Sequence, residues 1–353
     1  IVKPENPGVY HCTVRCVRRA FLCGFDRASG RNFEHRRAWI VERLGALSRI
    51  FGVEIYAYCA MSNHLHVVLK TRPDRAAQWT DRDVARRWLE LYPPRPPAAT
   101  EPADRSDATR RAVDALCRDV QRIALLRERL ASLSWFMKSL NEFIARKANK
   151  EDDCKGRFWE GRFRCQRLDD EAAILACMCY VDLNPVRAGI TDSLFQSRFT
   201  SALARIERLR GSRTHSSGGG RELIAHIPER GPAAPPDVPL VDLNGPESPF
   251  TYWGERQYLD ILDASGRQIR SDRPGFIPQT VRPLLESLEL NPDEWIDTLR
   301  HYNQRFGRVA GTLASIERAA AQLGKKWLKG TRAAAAVFRT PAPMATAYGK
   351  AAL

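Results

Sequence analysis

Hydrophobic and polar positions fall into a recognisable order along the first half of the chain. Residues 9–17, Val-Tyr-His-Cys-Thr-Val-Arg-Cys-Val, concentrate β-branched and aromatic side chains and predict a strand. Over 36–51, Trp39, Ile40, Leu44, Leu47 and Ile50 recur at helical spacing. Residues 53–60 alternate and predict a second strand, Met61-Ser62-Asn63 a turn, and His64 to Lys70 a third strand, so 53–70 is expected to be a hairpin. Residues 71–104 are less regular and include Pro93-Pro94-Arg95-Pro96-Pro97, a run that neither a helix nor a central strand accepts. A surface insertion over about 71–133 is the expectation. From 110 to 149 a helical pattern resumes, broken near Ser132–Ser134, and its second part puts Trp135, Phe136, Leu140, Phe143 and Ile144 on one face. Residues 163–168 suit a short fourth strand. Residues 170–182 suit a helix opened by Asp169 and Asp170, with Glu171 in the first turn and Asn184-Pro185 at its end.

This order predicts an α+β fold, a ferredoxin-like antiparallel sheet with helices on one face. The length of 353 residues suggests a division into a catalytic domain at 1–200, a linker at 201–250 and a mostly helical extension at 251–353. The linker carries Ser216-Ser217-Gly218-Gly219-Gly220. In the extension, Tyr258–Leu262 is expected as a strand before a Ser265-Gly266 turn, followed by helices over 280–289, 292–305 and 311–323. Residues 292–323 could form a helix-turn-helix with Leu313, Ile316 and Leu323 as its core.

Composition narrows the class. With 44% hydrophobic and 27% charged residues the chain can build a core. It has no apolar run long enough for a membrane span, and no secretory signal is visible at its start. The net charge of +15 is uneven: the first 220 residues hold 39 basic and 26 acidic side chains, and the rest 17 and 15. A polyanionic partner is therefore expected to meet the N-terminal part. Nine cysteines lack a C-x-x-C pair, which excludes a zinc ribbon and suits reduced thiols.

Three clusters carry candidate chemistry. In His64-Leu65-His66 the two imidazoles would project from one face of a strand, about 7 Å apart, where they can converge on a divalent ion or stand as unrelated strand histidines. In Tyr180-Val181-Asp182-Leu183-Asn184-Pro185, Tyr180 and Asn184 share a helix face. A tyrosine there can be a nucleophile beside a metal, and an asparagine oxygen can join its shell; a core aromatic and a helix stop explain the same residues. In Gly156-Arg157-Phe158-Trp159-Glu160-Gly161-Arg162-Phe163-Arg164, arginines for phosphates alternate with aromatics, which either stack on bases or pack into the core.

Met61-Ser62-Asn63-His64-Leu65-His66-Val67-Val68, Gly156-Arg157-Phe158-Trp159-Glu160-Gly161-Arg162-Phe163 and Tyr180-Val181-Asp182-Leu183-Asn184-Pro185-Val186-Arg187-Ala188-Gly189 resemble, in this order, the HUH single-strand tyrosine transposases, and among them the REP-associated tyrosine transposases. The resemblance spans about residues 10–190. It implies a DNA transposase, a single-strand endonuclease and strand transferase. His64 and His66 match the pair that holds Mg²⁺ or Mn²⁺, Tyr180 the catalytic tyrosine, and Asn184 the polar residue that helps hold the metal. Arg157, Arg162 and Arg164 could track the DNA backbone or grip the foot of a hairpin, and Trp159 joins them as a candidate DNA contact. The implied partner is single-stranded DNA with hairpins such as REP-like palindromes, and no membrane, handled by a monomer or homodimer in the bacterial cytoplasm at the nucleoid. A replication-initiator or relaxase-type nickase is the alternative within this chemistry. A non-catalytic DNA-binding regulator, built on the 292–323 helices, is the alternative outside it.

Overall fold

The computed structural model describes residues 2, 5–17, 22–26, 30–94, 102–213, 238–251, 254–269 and 278–338. The Ser216–Gly220 run and residues 95–97 of the proline run lie outside them. The strands are β1 (Gly8–Arg15), β2 (Val53–Ala60), β3 (His64–Thr71), β4 (Arg164–Leu168) and β5 (Val309–Ala310). The helices are α1 (Arg36–Ile50), α2 (Pro73–Ala77), α3 (Asp81–Leu91), α4 (Pro102–Cys117), α5 (Val120–Ala131), α6 (Leu133–Glu151), α7 (Glu171–Asp182), α8 (Asn184–Arg187), α9 (Ser201–Arg213), α10 (Glu255–Ile269), α11 (Arg282–Glu286), α12 (Pro292–Arg305), α13 (Leu313–Gln322) and α14 (Thr331–Val337).

The fold is α+β, and its sheet runs β2-β3-β1-β4-β5. The contacts among β1 to β4 are antiparallel, but β5 joins β4 in parallel, so the sheet is mixed. The expected hairpin is present, closed by Met61 N donating to His64 O at 2.9 Å.

Helices cover both faces, which corrects the expectation of one. Tyr10, Cys12 and Val14 of β1 and Leu65, Val67 and Leu69 of β3 pack with α1, α5 and α6. On the opposite face Val68 of β3 and Tyr56 and Cys59 of β2 pack with α7, α9, α10 and α12. Every residue of β2 is buried, as a strand covered on both sides must be. The residues read as an irregular insertion form α2 to α5. Val84, Ile123, Leu126 and Leu130 from these helices enter the first core.

The C-terminal region departs most from expectation. Tyr258–Leu262 lies within α10, not a strand. Tyr258, Leu262, Ser265 and Ile269 are buried at helical spacing, and a short apolar run cannot distinguish the two periods by itself. Gly266, expected in a turn, sits inside this helix, where Leu183 passes close by; a Cβ would meet its Cδ2 at 3.1 Å. The helix-turn-helix is absent too: β5 lies between α12 and α13 and pairs with β4, and Leu323 is exposed. The start of the 201–250 stretch is α9, whose Ala202, Leu203 and Ile206 are buried. Among the described residues no helix is long and apolar enough to cross a membrane.

Candidate functional site

The site is assembled where α7 and α8 cross the sheet face that carries His64 and His66. α7 starts with Asp170 as N-cap, its Oδ1 accepting from Ala173 N at 2.9 Å. From Ala172 to Val181 the helix is apolar on every face apart from the Tyr180 hydroxyl, and every residue from Ala172 to Asp182 is buried, as in a central helix. Leu183 joins it to α8 in a near-helical conformation, φ −84° and ψ 0°. Asn184 therefore stays one turn beyond Tyr180, and Pro185 opens a new turn of helix instead of only ending the old one.

The three clusters do converge in part. The Tyr180 ring meets the His66 ring edge-on with centroids 5.6 Å apart, and the His64 and His66 rings are 4.8 Å apart. The Asn184 amide Nδ2 lies 2.9 Å from His66 Nε2. Because an amide nitrogen and oxygen exchange places on a flip, that distance applies equally to Oδ1. His64 Nδ1 is 2.6 Å from Asn63 Oδ1, an arrangement that suits a proton on Nδ1 and a bare Nε2.

Burial sets the protonation of these groups. It lowers the His64 pKa to about 4, assisted by Arg15 and Arg187, and holds His66 well below the usual histidine value, so both rings are neutral at pH 7. For Tyr180, burial raises the phenol pKa while the Arg187 guanidinium pulls against it. Arg187 Nη2 donates to Tyr180 Oη at 3.3 Å, its guanidinium lies 4.5 Å over the same ring, and its Nη1 is held by Arg300 O at 2.8 Å.

The tyrosine is covered. It is only 2% exposed. Tyr302 of α12 stacks on it at 4.9 Å, and the Asn303 amide donates to its hydroxyl. Neither residue was legible as part of a site, since nothing in the sequence announces that α12 returns to α7. Arg187 had a weak signal, two turns beyond Tyr180 on the same face. His11 and Thr13 of β1 also enter the site, with His11 Nε2 2.8 Å from His66 Nδ1.

The arginine loop divides. Arg157, Arg162 and Arg164 are exposed. Trp159, expected to offer a face to a base, is instead buried in the core. Its Nε1 donates to Asn141 O at 2.9 Å, and Phe158 meets it edge-on. Backbone bonds from Val17 N to Phe158 O and Glu160 N to Arg15 O hold this loop as an extension of β1, which turns the indole inward.

His11 gives a test of the burial. Its pKa is lowered to about 4, chiefly by burial. The unfolded state therefore takes up a proton near pH 6.5 that the folded state refuses until about pH 4. Stability is fully present above 6.5 and is lost as pH falls towards 4. Between pH 7.5 and 5 the original chain is expected to lose about 2 kcal/mol more than His11→Phe, measured by urea unfolding of both. Equal losses would contradict the assigned environment.

Comparison with known proteins adds little to this geometry. No protein-family model and no curated protein matches the chain. Among solved structures, one described as a REP-associated tyrosine transposase bound to a REP hairpin aligns with 63% of this chain and 92% of its own length. The identity is 13% and the TM-score 0.29. At that level of similarity nothing is transferred from it to this chain.

Proposed function

We propose that the chain is a metal-assisted single-strand DNA endonuclease and strand transferase, a tyrosine transposase of the HUH type, with Tyr180 as nucleophile. The observation that supports this best is the meeting of Tyr180, His66 and Asn184, from α7, β3 and α8, within one buried polar cluster. We read β1 to β4, in the order β2-β3-β1-β4, as the ferredoxin-like core of such an enzyme, with the region after 250 as its cover.

The residues suit a hard divalent ion. Among the described residues no group of three or more His, Cys, Asp or Glu is arranged for a metal, so the third donor has to be an amide. The Asn184 amide stands 2.9 Å from His66 Nε2, close enough for both side chains to reach one ion. His64, His66 and the Asn184 oxygen would hold Mg²⁺ or Mn²⁺. Held there, the ion would supply positive charge to a non-bridging phosphate oxygen and to the charge that builds up during attack.

The chain's own groups do the rest. The Tyr180 oxygen attacks phosphorus, the bond to the 3′ oxygen breaks, and the products are a 5′-phosphotyrosine and a free 3′-OH. Arg187 stabilises the phenolate and orients it. Attack in line requires Tyr302 and Asn303 to leave the hydroxyl, so the α12 end must yield to the DNA strand. The phosphotyrosine retains an activated ester, so a second 3′-OH reverses the reaction and rejoins strands. Incubating the chain with hairpin-bearing single-stranded DNA and Mn²⁺ should give a denaturation-resistant adduct whose modified peptide contains Tyr180. No adduct under any divalent ion would defeat the proposal.

The burial of Tyr180 favours a second reading, a DNA-binding protein that does not cleave. It is supported if DNA binds, no adduct forms and the hydroxyl remains covered in the complex. Arg157, Arg162 and Arg164 serve binding in both readings. Their joint replacement by Ala is expected to reduce the log–log salt slope of single-strand binding by about 2, from a slope of about 0.7 per phosphate. An unchanged slope would remove these three from the interface.

A further inference from the structure

β1 contributes two polar side chains to the site. His11 and Thr13 lie on one face of the strand. His11 is the register partner of Gln166, and Thr13 that of His66. The His11 and His66 rings stack at 5.1 Å and 17°, and the hydroxyl of Thr13 lies 3.2 Å from His11 Nε2 and from His66 Nδ1. Beyond His11, Gln166 Nε2 donates to Gly307 O at 2.7 Å. The other amide atom, Gln166 Oε1, is buried and has no hydrogen bond.

His11 Nε2 and His66 Nδ1, 2.8 Å apart, must share one proton. If His11 owned it, His66 would accept at Nδ1 and carry its own proton on Nε2, beside Asn184, where it would block a ligand's lone pair. If His66 owns it, Nε2 is bare. Gln166 favours the second arrangement. Its nitrogen is committed to Gly307, so towards its strand neighbour His11 it has only an oxygen, buried and without a partner, which an N–H on the far nitrogen of the His11 ring would satisfy. A neutral His11 protonated there has a bare Nε2, which accepts, and His66 Nδ1 at 2.8 Å is nearer to it than the Thr13 hydroxyl at 3.2 Å.

We propose that His11 is a positioning residue that, oriented by Gln166, fixes His66 in the Nδ1–H tautomer and aims its Nε2 lone pair at the ion. This rests on the metal reading of the site given above. It makes the two candidate ligands alike: each has Nδ1 held by an oxygen or nitrogen neighbour, Asn63 for His64 and His11 for His66. Such outer partners commonly set a ligand's tautomer and basicity.

The test uses the full chain without DNA. His11→Phe keeps the stacked ring and removes the acceptor, whereas His11→Gln returns a polar atom near the position of Nε2. Thermal unfolding verifies that each is folded. Nitrogen NMR of labelled histidine should show His66 as Nδ1–H in the original chain and as a tautomer mixture in His11→Phe. Calorimetric titration should show Mn²⁺ affinity falling about 10–100-fold in His11→Phe, with most of it restored in His11→Gln. A folded His11→Phe that binds Mn²⁺ as well as the original chain overturns the proposal, as does an Nε2–H His66 in the original chain. An original chain that binds no Mn²⁺ but keeps the Nδ1–H tautomer would instead defeat the metal reading, and with it the purpose assigned to His11.

Discussion

Tyr180→Phe is expected to abolish covalent attachment to single-stranded DNA, with a loss of at least about 10³-fold, because no other atom at that position can form the phosphoester. The substitution is gentle structurally. The ring keeps its stack on Tyr302 and its edge contact with His66, and only the hydroxyl's bonds from Arg187 and Asn303 are lost. DNA affinity should therefore stay near that of the original chain. Tyr302→Phe is the necessary control, since Tyr302 lies against Tyr180 and carries a second phenol. An adduct that survives Tyr180→Phe and disappears in Tyr302→Phe would move the nucleophile to α12. An adduct that survives both would end the tyrosine mechanism.

Arg205→Leu is expected to destabilise the chain by about 3 kcal/mol. Arg205 is fully buried in α9. Its guanidinium donates to Glu255 Oε1 at 2.5 Å, to Val241 O at 2.9 Å and to Tyr56 O at 2.8 Å. It thus links α10 and the 238–250 segment to β2. Without it, Glu255 retains only its pairing with the half-exposed Arg208, and two buried carbonyls lose their donor. Replacing Glu255 as well, in Arg205→Leu/Glu255→Leu, should recover part of the loss, because the stranded charge is what costs most. Urea unfolding followed by far-UV signal measures both. A cost below about 1 kcal/mol would mean that the extension is only loosely attached to the sheet. A single transition that shifts as a whole would show the two folding as one unit.

The legible parts of this chain were those whose signals are local. β1 to β4, α1 and α7 follow from runs of alternating or helical apolar positions, and the Asp170 cap from one residue before its helix. His64 and His66 share a face because a strand alternates, and Tyr180 with Asn184 because a helix turns every 3.6 residues. Failures occurred where a pattern had two solutions. Trp159 suits a base platform or a core equally well in sequence, and the backbone pairing of its loop with β1 settles it. The apolar run at Tyr258–Leu262 suits a strand until its partners in α12, such as Trp295 bonded to Ser265, are known.

By itself, then, the sequence determined the local elements, the two pairs of candidate side chains and the N-terminal excess of positive charge, since each depends on spacing within a few residues. The tertiary structure decided which pairs meet. It brought His11 to His66 through the β1–β3 register, laid Tyr302 and Asn303 over Tyr180, and closed the second face of the sheet with the C-terminal helices. Those contacts join residues far apart in the chain, and their energy comes from burial and buried hydrogen bonds that form only when the whole core assembles.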